Sequence, residues 1–216
     1  GCEKALWIAP TNAQCDEINR IRFLALVEKG AQHVRVWARH AGDNRTPGPI
    51  PAETNAKLFA QERNDKRDSK LPEVAIDLAI GTRVAVSYNV CTRLKLYQGA
   101  LGTVVRIAFL GDGPTTPAAR LLDLNAVLAS GATPPEIPMV FVQMDDVAID
   151  PETNLPFSCD PDTPNLIPFV AVPTFTKLRG RYYRWQLPLR VAHCRTIHKA
   201  QGITAHNGLV LQPSDV

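Results

Sequence analysis

The chain has 216 residues, of which 45% are hydrophobic and 21% are charged, and its formal net charge is +3. This composition is typical of a globular protein and excludes a disordered one. No apolar run approaches the ~20 residues that a membrane-spanning helix needs, and a net charge this small does not by itself indicate a polyanionic partner.

The cysteines and the chain ends bear on metal sites, disulfides, the cell compartment and the length of the whole protein. The five cysteines contain no Cys-x-x-Cys pair, so neither a zinc site nor a disulfide framework is indicated. The first residues lack the basic and then apolar layout of a signal peptide, and we expect an intracellular protein. Because the sequence begins with Gly1 and ends at Val216, just after a predicted strand, we also expect a piece of a longer protein.

The first predicted elements are a strand and a helix. The apolar run at residues 6–9 is typical of a buried strand in a parallel sheet. Thr11 and Gln14 have the spacing of a capping box, which starts a helix, and Gly30 is a natural end for it. The apolar face of this helix is predicted to carry Ile18, Ile21, Leu24 and Val27. Alternation at residues 33–38 predicts a second strand.

The middle of the chain changes character twice. Residues 41–73 are predicted to be a linker or excursion with little core, apart from a short helix near 56–63. From Val74 onward, short apolar runs separated by Gly/Pro turns predict the strands of a small barrel. Asp145 and Asp146 follow one apolar run, as in a Walker B strand. No Gly-x-x-x-x-Gly-Lys-[Ser/Thr] loop accompanies them, so a structural role is predicted.

A basic segment precedes the last predicted strands. Residues 177–190 include five basic residues and no acidic one. A basic stripe is typical of phosphate-backbone binding, although a solvated charged face is the common alternative. For the interleaved aromatic residues, packing in the barrel is favoured over base stacking. They are Tyr182, Tyr183 and Trp185.

The last part of the chain predicts a strand, a polar loop and another strand. Residues 191–197 read as a short buried strand, residues 198–202 as the loop, and Gly208 begins a further buried strand. Such a loop lies at the carboxyl edge of a parallel sheet, where ligands bind in α/β proteins.

The run Thr-Ile-His-Lys-Ala-Gln-Gly-Ile-Thr at residues 196–204, with its lead-in Gln-Leu-Pro-Leu-Arg, closely resembles motif V of superfamily 1 helicases. The form is that of the PIF-type (petite integration frequency) and RecD-like branch. Ala200 stands where the family usually has serine. Pro10-Thr11-Asn12 and Asp-Glu-Ile-Asn at 16–19 resemble the start of the second RecA-like lobe. Residues 81–89 and 98–104 resemble the SH3-like barrel inserted there, with Gln98 in place of the usual asparagine.

The resemblance implies an α/β fold: a partial second RecA-like lobe of the P-loop NTPase type with an inserted all-β SH3-like barrel. Residues 1–73 would form the first part of the lobe and a linker, 74–188 the barrel, and 189–216 the truncated return to the lobe with motif V. The parent protein would be an ATP-dependent DNA helicase, acting in repair or recombination, that translocates 5′ to 3′ on single-stranded DNA. It would be nuclear or mitochondrial in a eukaryote.

The resemblance also implies cofactors, partners and site residues. ATP and Mg²⁺ would be bound mainly by the N-terminal RecA-like lobe, which this sequence does not contain, so the chain alone is predicted to be inactive. Gln201 and Gly202 would approach the nucleotide phosphates, and no metal site is predicted in this chain. Single-stranded DNA would be contacted by Thr11, Asn12, Thr196, His198 and Lys199, and from the barrel by Arg179, Arg181, Tyr183 and Arg184.

Two alternatives belong to other classes of function. The chain could be a non-catalytic nucleic-acid-binding or scaffold module derived from a helicase, which Ala200 mildly favours. It could also be an SH3-like protein-interaction domain whose basic hairpin docks an acidic partner. Thr11 and Asn12, in addition, could cap the first helix without contacting DNA.

Overall fold

A computed structural model describes residues 5–42, 50–60, 72–109, 136–146, 149, 156–176, 182–201 and 208–212. The strands are β1 (Leu6–Ala9), β2 (His33–Trp37), β3 (Arg39–Ala41), β4 (Ala75–Ala79), β5 (Arg83–Val86), β6 (Leu101–Ala108), β7 (Met139–Met144), β8 (Leu166–Phe169), β9 (Val172–Thr176), β10 (Tyr182–Gln186), β11 (Leu189–Val191), β12 (Cys194–Thr196) and β13 (Leu209–Leu211). The helices are α1 (Asn12–Glu28), α2 (Ala52–Ala60) and α3 (Ile197–Ala200). Among the described helices, none has the length and apolar character to cross a bilayer.

A parallel sheet joins the two ends of the chain. β1 is its central strand, with β12 on one side and β13 on the other. The prediction that β1 is a parallel strand is therefore confirmed. The strand predicted after Gly208 is also present, but Leu209 and Leu211 are exposed. Its predicted burial is wrong, because β13 lies at the edge of the sheet within the described residues.

Helix α1 begins and ends where the sequence predicts. Thr11 is its N-cap, and the Thr11 hydroxyl oxygen accepts a hydrogen bond from the Gln14 backbone N–H at 3.2 Å. Gly30, with φ +81°, follows its last turn. The predicted apolar face is only partly correct, because Ile21 and Leu24 are exposed. The side of α1 that faces the sheet instead carries the small residue Cys15, together with Ile18.

The excursion at residues 41–73 contributes more to the core than its composition predicts. Helix α2 begins at Ala52, four residues before the predicted start. Its side chains Leu58 and Phe59 are buried, so the expectation of little core is wrong. The reason is that a single amphipathic turn of helix suffices to place two large side chains against the sheets.

Most of the hydrophobic core lies around a five-stranded antiparallel sheet in the order β11-β5-β6-β7-β8. Along β7 buried and half-buried residues alternate, so one face of this strand lies in the core. In β6, a Cβ on Gly102 would lie 2.5 Å from the Val142 side chain and 2.8 Å from the Gln143 carbonyl oxygen. The close approach of β6 and β7 therefore requires glycine at this position.

The remaining strands form two small antiparallel sheets, β2-β4 and β3-β10-β9. The predicted SH3-like barrel is not confirmed, since the described strands lie in separate sheets and do not close into one barrel. Strand pairs join residues on both sides of the predicted domain boundaries, as β2 with β4 and β11 with β5 do. The boundaries themselves stay a prediction.

The strand predicted at residues 191–197 is in fact two strands in two sheets. Val191 pairs with Val84 of the antiparallel sheet, whereas Cys194 pairs with Trp7 of the parallel sheet. The backbone crosses between them at Ala192 and His193. A continuous apolar run does not reveal this crossing, because both halves are buried and differ only in their hydrogen-bond partners.

Candidate functional site

Two motif-bearing segments meet at one edge of the parallel sheet. Because β1 and β12 are parallel, with Ala9 opposite Thr196, both strands end at the same edge. The chain continues from β1 into the start of α1, and from β12 into α3. Thr11 and Asn12 are thus brought to the same edge as Thr196 and His198, which lie more than 180 residues away in the sequence. This is the edge at which α/β proteins bind ligands.

The start of α1 offers backbone donors at this edge. Thr11 and Asn12 are exposed, and the first turn of the helix carries no acidic residue. The first N–H groups of a helix have no partner within the helix, and the helix dipole is positive there. The arrangement favours an anion such as a phosphate.

The start of α3 contributes Thr196, which is 8% exposed, and an exposed imidazole. Thr196 occupies the N-cap position of α3, but its side chain makes no capping hydrogen bond. His198 and Gln201 are exposed. Lys199 lies in the helix, although its side chain falls outside the description, as does the whole of Gly202. The roles predicted for these residues stay predictions.

Strand β12 is fixed to α1 by a side chain that mimics a neighbouring strand. The Asn19 Oδ1 accepts from the Cys194 backbone N–H at 2.8 Å, and its Nδ2 donates to the Cys194 carbonyl oxygen at 3.5 Å. Cys15 of α1 also contacts Cys194, with 3.5 Å between the sulfur atoms. Burial raises the pKa of the Cys194 thiol to about 12, so this thiol is neutral. Asn19 belongs to the Asp-Glu-Ile-Asn pattern at 16–19, but no role was predicted for it from the sequence.

Arg195 fixes the other face of β12. It is 6% exposed, and its Nη1 donates to the Gly99 carbonyl oxygen at 3.1 Å, in the turn before β6. Burial, and then the neighbouring charge of Arg190, lower the pKa of Arg195 to about 10, so it stays charged near pH 7. The positive φ of this turn falls on Gly99, so Gln98 avoids the conformation that asparagine tolerates better.

His193 marks the crossing point between the two sheets. Its Nε2 accepts a hydrogen bond from the Arg83 backbone N–H at 3.3 Å. Burial, with the charges of Arg22 and Arg83, lowers the pKa of His193 to about 4. The imidazole is therefore neutral near pH 7 and holds the turn between β11 and β12 through an acceptor that it would lose on protonation.

The predicted DNA contact of Arg184 conflicts with its position. Arg184 is 1% exposed, and its guanidinium donates to His40 Nε2 at 3.2 Å, to the Pro72 carbonyl oxygen at 2.9 Å and to the Leu58 carbonyl oxygen at 2.5 Å. These acceptors are inside the protein, so the side chain is not presented to a DNA strand. Arg184 instead fixes α2 and the segment before β4 to β10.

The other predicted contacts in this region have different outcomes. Tyr183 is half-buried in β10, and its ring lies edge-to-face with the ring of Phe175. Arg179 and Arg181 lie outside the described residues. Their predicted DNA contacts therefore stay predictions.

The two aspartates that imitate a Walker B motif have structural partners. Asp145 forms an ion pair with Arg83, which is buried at the start of β5. Asp146 accepts a hydrogen bond from the Tyr97 hydroxyl at 3.2 Å. The structural role predicted for them is confirmed by these contacts. Over the described ranges, no group of three or more His, Cys, Asp or Glu side chains is placed to hold a metal ion.

Comparison with known proteins supports the fold. No protein-family model and no curated protein matches the sequence. A structure of two coordinating Pif1 helicases, solved to explain DNA unwinding at forked dsDNA, matches with a TM-score of 0.51 and 17% identity, over 97% of this chain and 33% of that chain. The Pif1 helicase from Candida albicans matches with a TM-score of 0.53 and 17% identity, over 95% of this chain and 39% of that one. The resemblance predicted from the sequence is confirmed at the level of fold, and the chain spans well under half of either helicase.

Proposed function

We propose that this chain is part of an ATP-dependent DNA helicase that translocates 5′ to 3′ on single-stranded DNA. It supplies motif V and a set of DNA contacts. The observation that supports this most directly is the register of β1 and β12, which brings Thr11 and Asn12 to the same sheet edge as Thr196 and His198. Both segments resemble helicase motifs by sequence, and they are neighbours only in the fold.

The DNA backbone binds at this edge. A phosphate accepts hydrogen bonds from the first N–H groups of α1, where no acidic side chain opposes it. The Thr196 hydroxyl and the exposed His198 lie at the end of the adjacent strand and contact the same phosphate or the next one. Lys199 adds charge to this region. Each neutralised phosphate of a single strand makes log K fall by ~0.7 per unit of log salt concentration.

The nucleotide binds mainly outside this chain. The first RecA-like lobe of the parent protein supplies the phosphate loop and the acidic Mg²⁺ ligand, which stabilise charge during phosphoryl transfer. By the resemblance of motif V, Gln201 and Gly202 would approach these phosphates from this chain. Because the 216-residue sequence has no phosphate loop, the chain alone hydrolyses no ATP.

The packing of β12 couples this sheet edge to α1 and to the antiparallel sheet. Asn19 and Cys15 hold the strand from α1, while Arg195 holds it from the turn that contains Gly99. A displacement of the edge by nucleotide would therefore act on the antiparallel sheet as well as on α1. Such contiguous packing is the physical basis for coupling between two sites.

A non-catalytic nucleic-acid-binding or scaffold module is the second candidate. Ala200 favours it, because the family usually has a serine hydroxyl at this position. This module would bind single-stranded DNA through the same edge. It would differ from a motor in the parent protein, where DNA would not stimulate ATP hydrolysis.

The test begins with binding of a fluorescent oligothymidylate to this chain at several salt concentrations. We expect binding that weakens with salt, and a further loss in Lys199→Glu. Lys57→Glu is the matched control, since Lys57 is an exposed lysine on α2, paired with Glu53. Absence of binding, or equal loss in both variants, would contradict the proposal. In the parent protein, DNA-stimulated ATP hydrolysis that is lost in Gln201→Ala distinguishes the motor from the binding module.

A further inference from the structure

The sheet β3-β10-β9 has one face inside the protein and one face outside. In β10, Arg184 and Gln186 are fully buried, and side chains alternate along a strand, so Tyr183 and Trp185 lie on the opposite face. Phe175 and Pro173 of β9 stand directly opposite these two residues in the strand register. We name this outer surface the aromatic face: it comprises Arg39, Pro173, Phe175, Tyr183 and Trp185.

The aromatic face is accessible rather than part of the core. Phe175 is 51% exposed, while Tyr183 and Trp185 are half-buried. The rings of Phe175 and Tyr183 are 5.6 Å apart between centroids and inclined by 71°. The edge of one ring thus faces the other, which leaves part of the Phe175 ring open to solvent.

We propose that the aromatic face binds single-stranded nucleic acid by base stacking. One base stacks on Phe175 and a following base on Trp185. This inference rests on the proposed function, because the aromatic face would be a second contact region for the DNA strand that binds at the parallel sheet edge. The packing role predicted from the sequence for Tyr183 and Trp185 agrees with their half-buried side chains, which lie on this face of the sheet.

The spacing of the rings suits consecutive bases. Two residues that alternate to the same face of a strand lie ~6.8 Å apart, since each residue of an antiparallel strand adds ~3.4 Å. Tyr183 and Trp185 have this separation along β10. Because Phe175 stands opposite Tyr183, Phe175 and Trp185 are diagonal neighbours, ~7–8 Å apart. An aromatic residue in a sheet holds an unstacked base without regard to its sequence, because every base has a π-face.

The charge around the aromatic face favours a polyanion. Arg39 of β3 stands directly opposite Trp185. The sequence that joins β9 to β10 contains Lys177, Arg179 and Arg181, and no acidic residue occurs from there to Arg190. An acidic protein surface would also be attracted by these charges, but only a nucleic acid combines a regular anionic backbone with flat bases that stack on rings. The rings together with the charges therefore point to nucleic acid.

The substitution Phe175→Ala tests this in the intact chain. Because Phe175 is already half exposed, its removal leaves the fold intact. We expect the dissociation constant for oligothymidylate to rise about five- to 150-fold, as loss of one stacked base predicts. The slope of log K against log salt should stay unchanged, because no phosphate contact is removed. Phe175→Trp should retain wild-type affinity, and Val90→Ala, at a 42% exposed apolar residue, is the control.

Two further measurements separate the possible failures. If the wild-type chain does not bind the oligonucleotide, the proposed function fails as well. If the wild type binds and Phe175→Ala binds equally well, only the stacking inference is overturned. Displacement of the oligonucleotide by polyglutamate with equal strength in both proteins would also overturn it, because it would identify a purely electrostatic surface. Ultraviolet cross-linking should attach thymine to Phe175 or Trp185, and attachment at the parallel sheet edge alone would contradict the inference.

Discussion

Arg184 and Arg195 are both buried arginines, and they differ in how their charge is accommodated. Arg184 uses Nε, Nη1 and Nη2 on acceptors from three separate parts of the chain. Arg195 makes one side-chain hydrogen bond to the described part of the chain, to the Gly99 carbonyl oxygen. Burial lowers the pKa of each to about 10, so both are charged near pH 7.

The difference lies in how many elements of the fold each guanidinium holds together. The Arg184 guanidinium bonds through all three of its nitrogens and so holds α2, β3 and β10 in one arrangement. The Arg195 guanidinium holds β12 to the turn at Gly99 through one hydrogen bond to the described part of the chain.

The largest expected effect comes from removing Arg184. In Arg184→Ala, two buried carbonyl groups and His40 lose a charged donor, and a cavity remains. We expect the free energy of unfolding to fall by at least ~3 kcal/mol. Arg195→Ala should cost only ~1–2 kcal/mol, since one hydrogen bond is lost. Urea denaturation measures both. Arg39→Ala, on the outer face of the same sheet as Arg184, is the control, and equal losses at Arg184 and Arg195 would refute the distinction.

The pH dependence of stability tests two regions at once, the surroundings of Arg184, which include His40, and the start of β12, which follows His193. Burial, and then the charge of Arg184, lower the pKa of His40 to about 4, whereas the Asn55 side chain raises it. His193 is lowered to about 4 by burial, Arg22 and Arg83. The unfolded chain binds a proton at each histidine below the ordinary pKa of about 6.5. Stability is therefore lost as the pH falls from about 6.5 towards about 4.

Between pH 6.5 and pH 5, each histidine should contribute a loss of ~2 kcal/mol. Urea denaturation at the two pH values gives the total. The variants His40→Gln and His193→Gln should each remove about half of the pH dependence, whatever they do to stability at pH 7. A free energy of unfolding that is constant or rises as the pH falls would exclude buried neutral histidines in both regions.

The elements near the candidate site could be predicted because their determinants are local. The capping residue Thr11, the apolar run of β1 and the stop at Gly30 lie within 25 residues of one another and act through propensity and capping. The motif residues around Thr196 and His198 could be found by resemblance. Their meeting with Thr11 follows from parallel pairing of strands, which a sequence motif implies only if the fold is already known.

The fate of Arg184 could not be predicted in this way. Its acceptors lie 112, 126 and 144 positions away in the sequence. A basic residue among other basic residues looks like a surface contact until the fold shows what it packs against. The same limit applies to the barrel, because closure of a sheet depends on pairing between distant strands. It applies also to the crossing at His193, where Val191 and Cys194 lie three positions apart but belong to different sheets.

Asn19 offers a smaller test of how the site is held. In Asn19→Ala, the Cys194 backbone loses its side-chain donor and acceptor. We expect a loss of ~1–2 kcal/mol in the free energy of unfolding, and weaker binding of oligothymidylate, because Thr196 lies two residues further along β12. Asn55→Ala, which removes one hydrogen bond to His40, should affect stability without affecting DNA binding. Equal effects on DNA binding would show that Asn19 has no special relation to the site.

The smallest expected effects distinguish the two threonines at the sheet edge. Thr11 caps α1 through its hydroxyl, whereas the Thr196 hydroxyl makes no capping bond to α3. Thr11→Val should therefore lower the free energy of unfolding by ~1 kcal/mol, and Thr196→Val, which keeps the side-chain volume, should change it by less than ~0.5 kcal/mol.

For Thr196→Val, the expected effect on the binding of oligothymidylate is larger than the effect on stability. Loss of one hydrogen bond to a phosphate weakens binding about fivefold, equivalent to ~1 kcal/mol. A Thr196→Val variant that is as stable as the wild type and binds DNA more weakly would show that the Thr196 hydroxyl contacts the DNA. If Thr196→Val instead loses stability and keeps its affinity, the hydroxyl belongs to the fold, and the DNA contact at this edge must come from α1 alone.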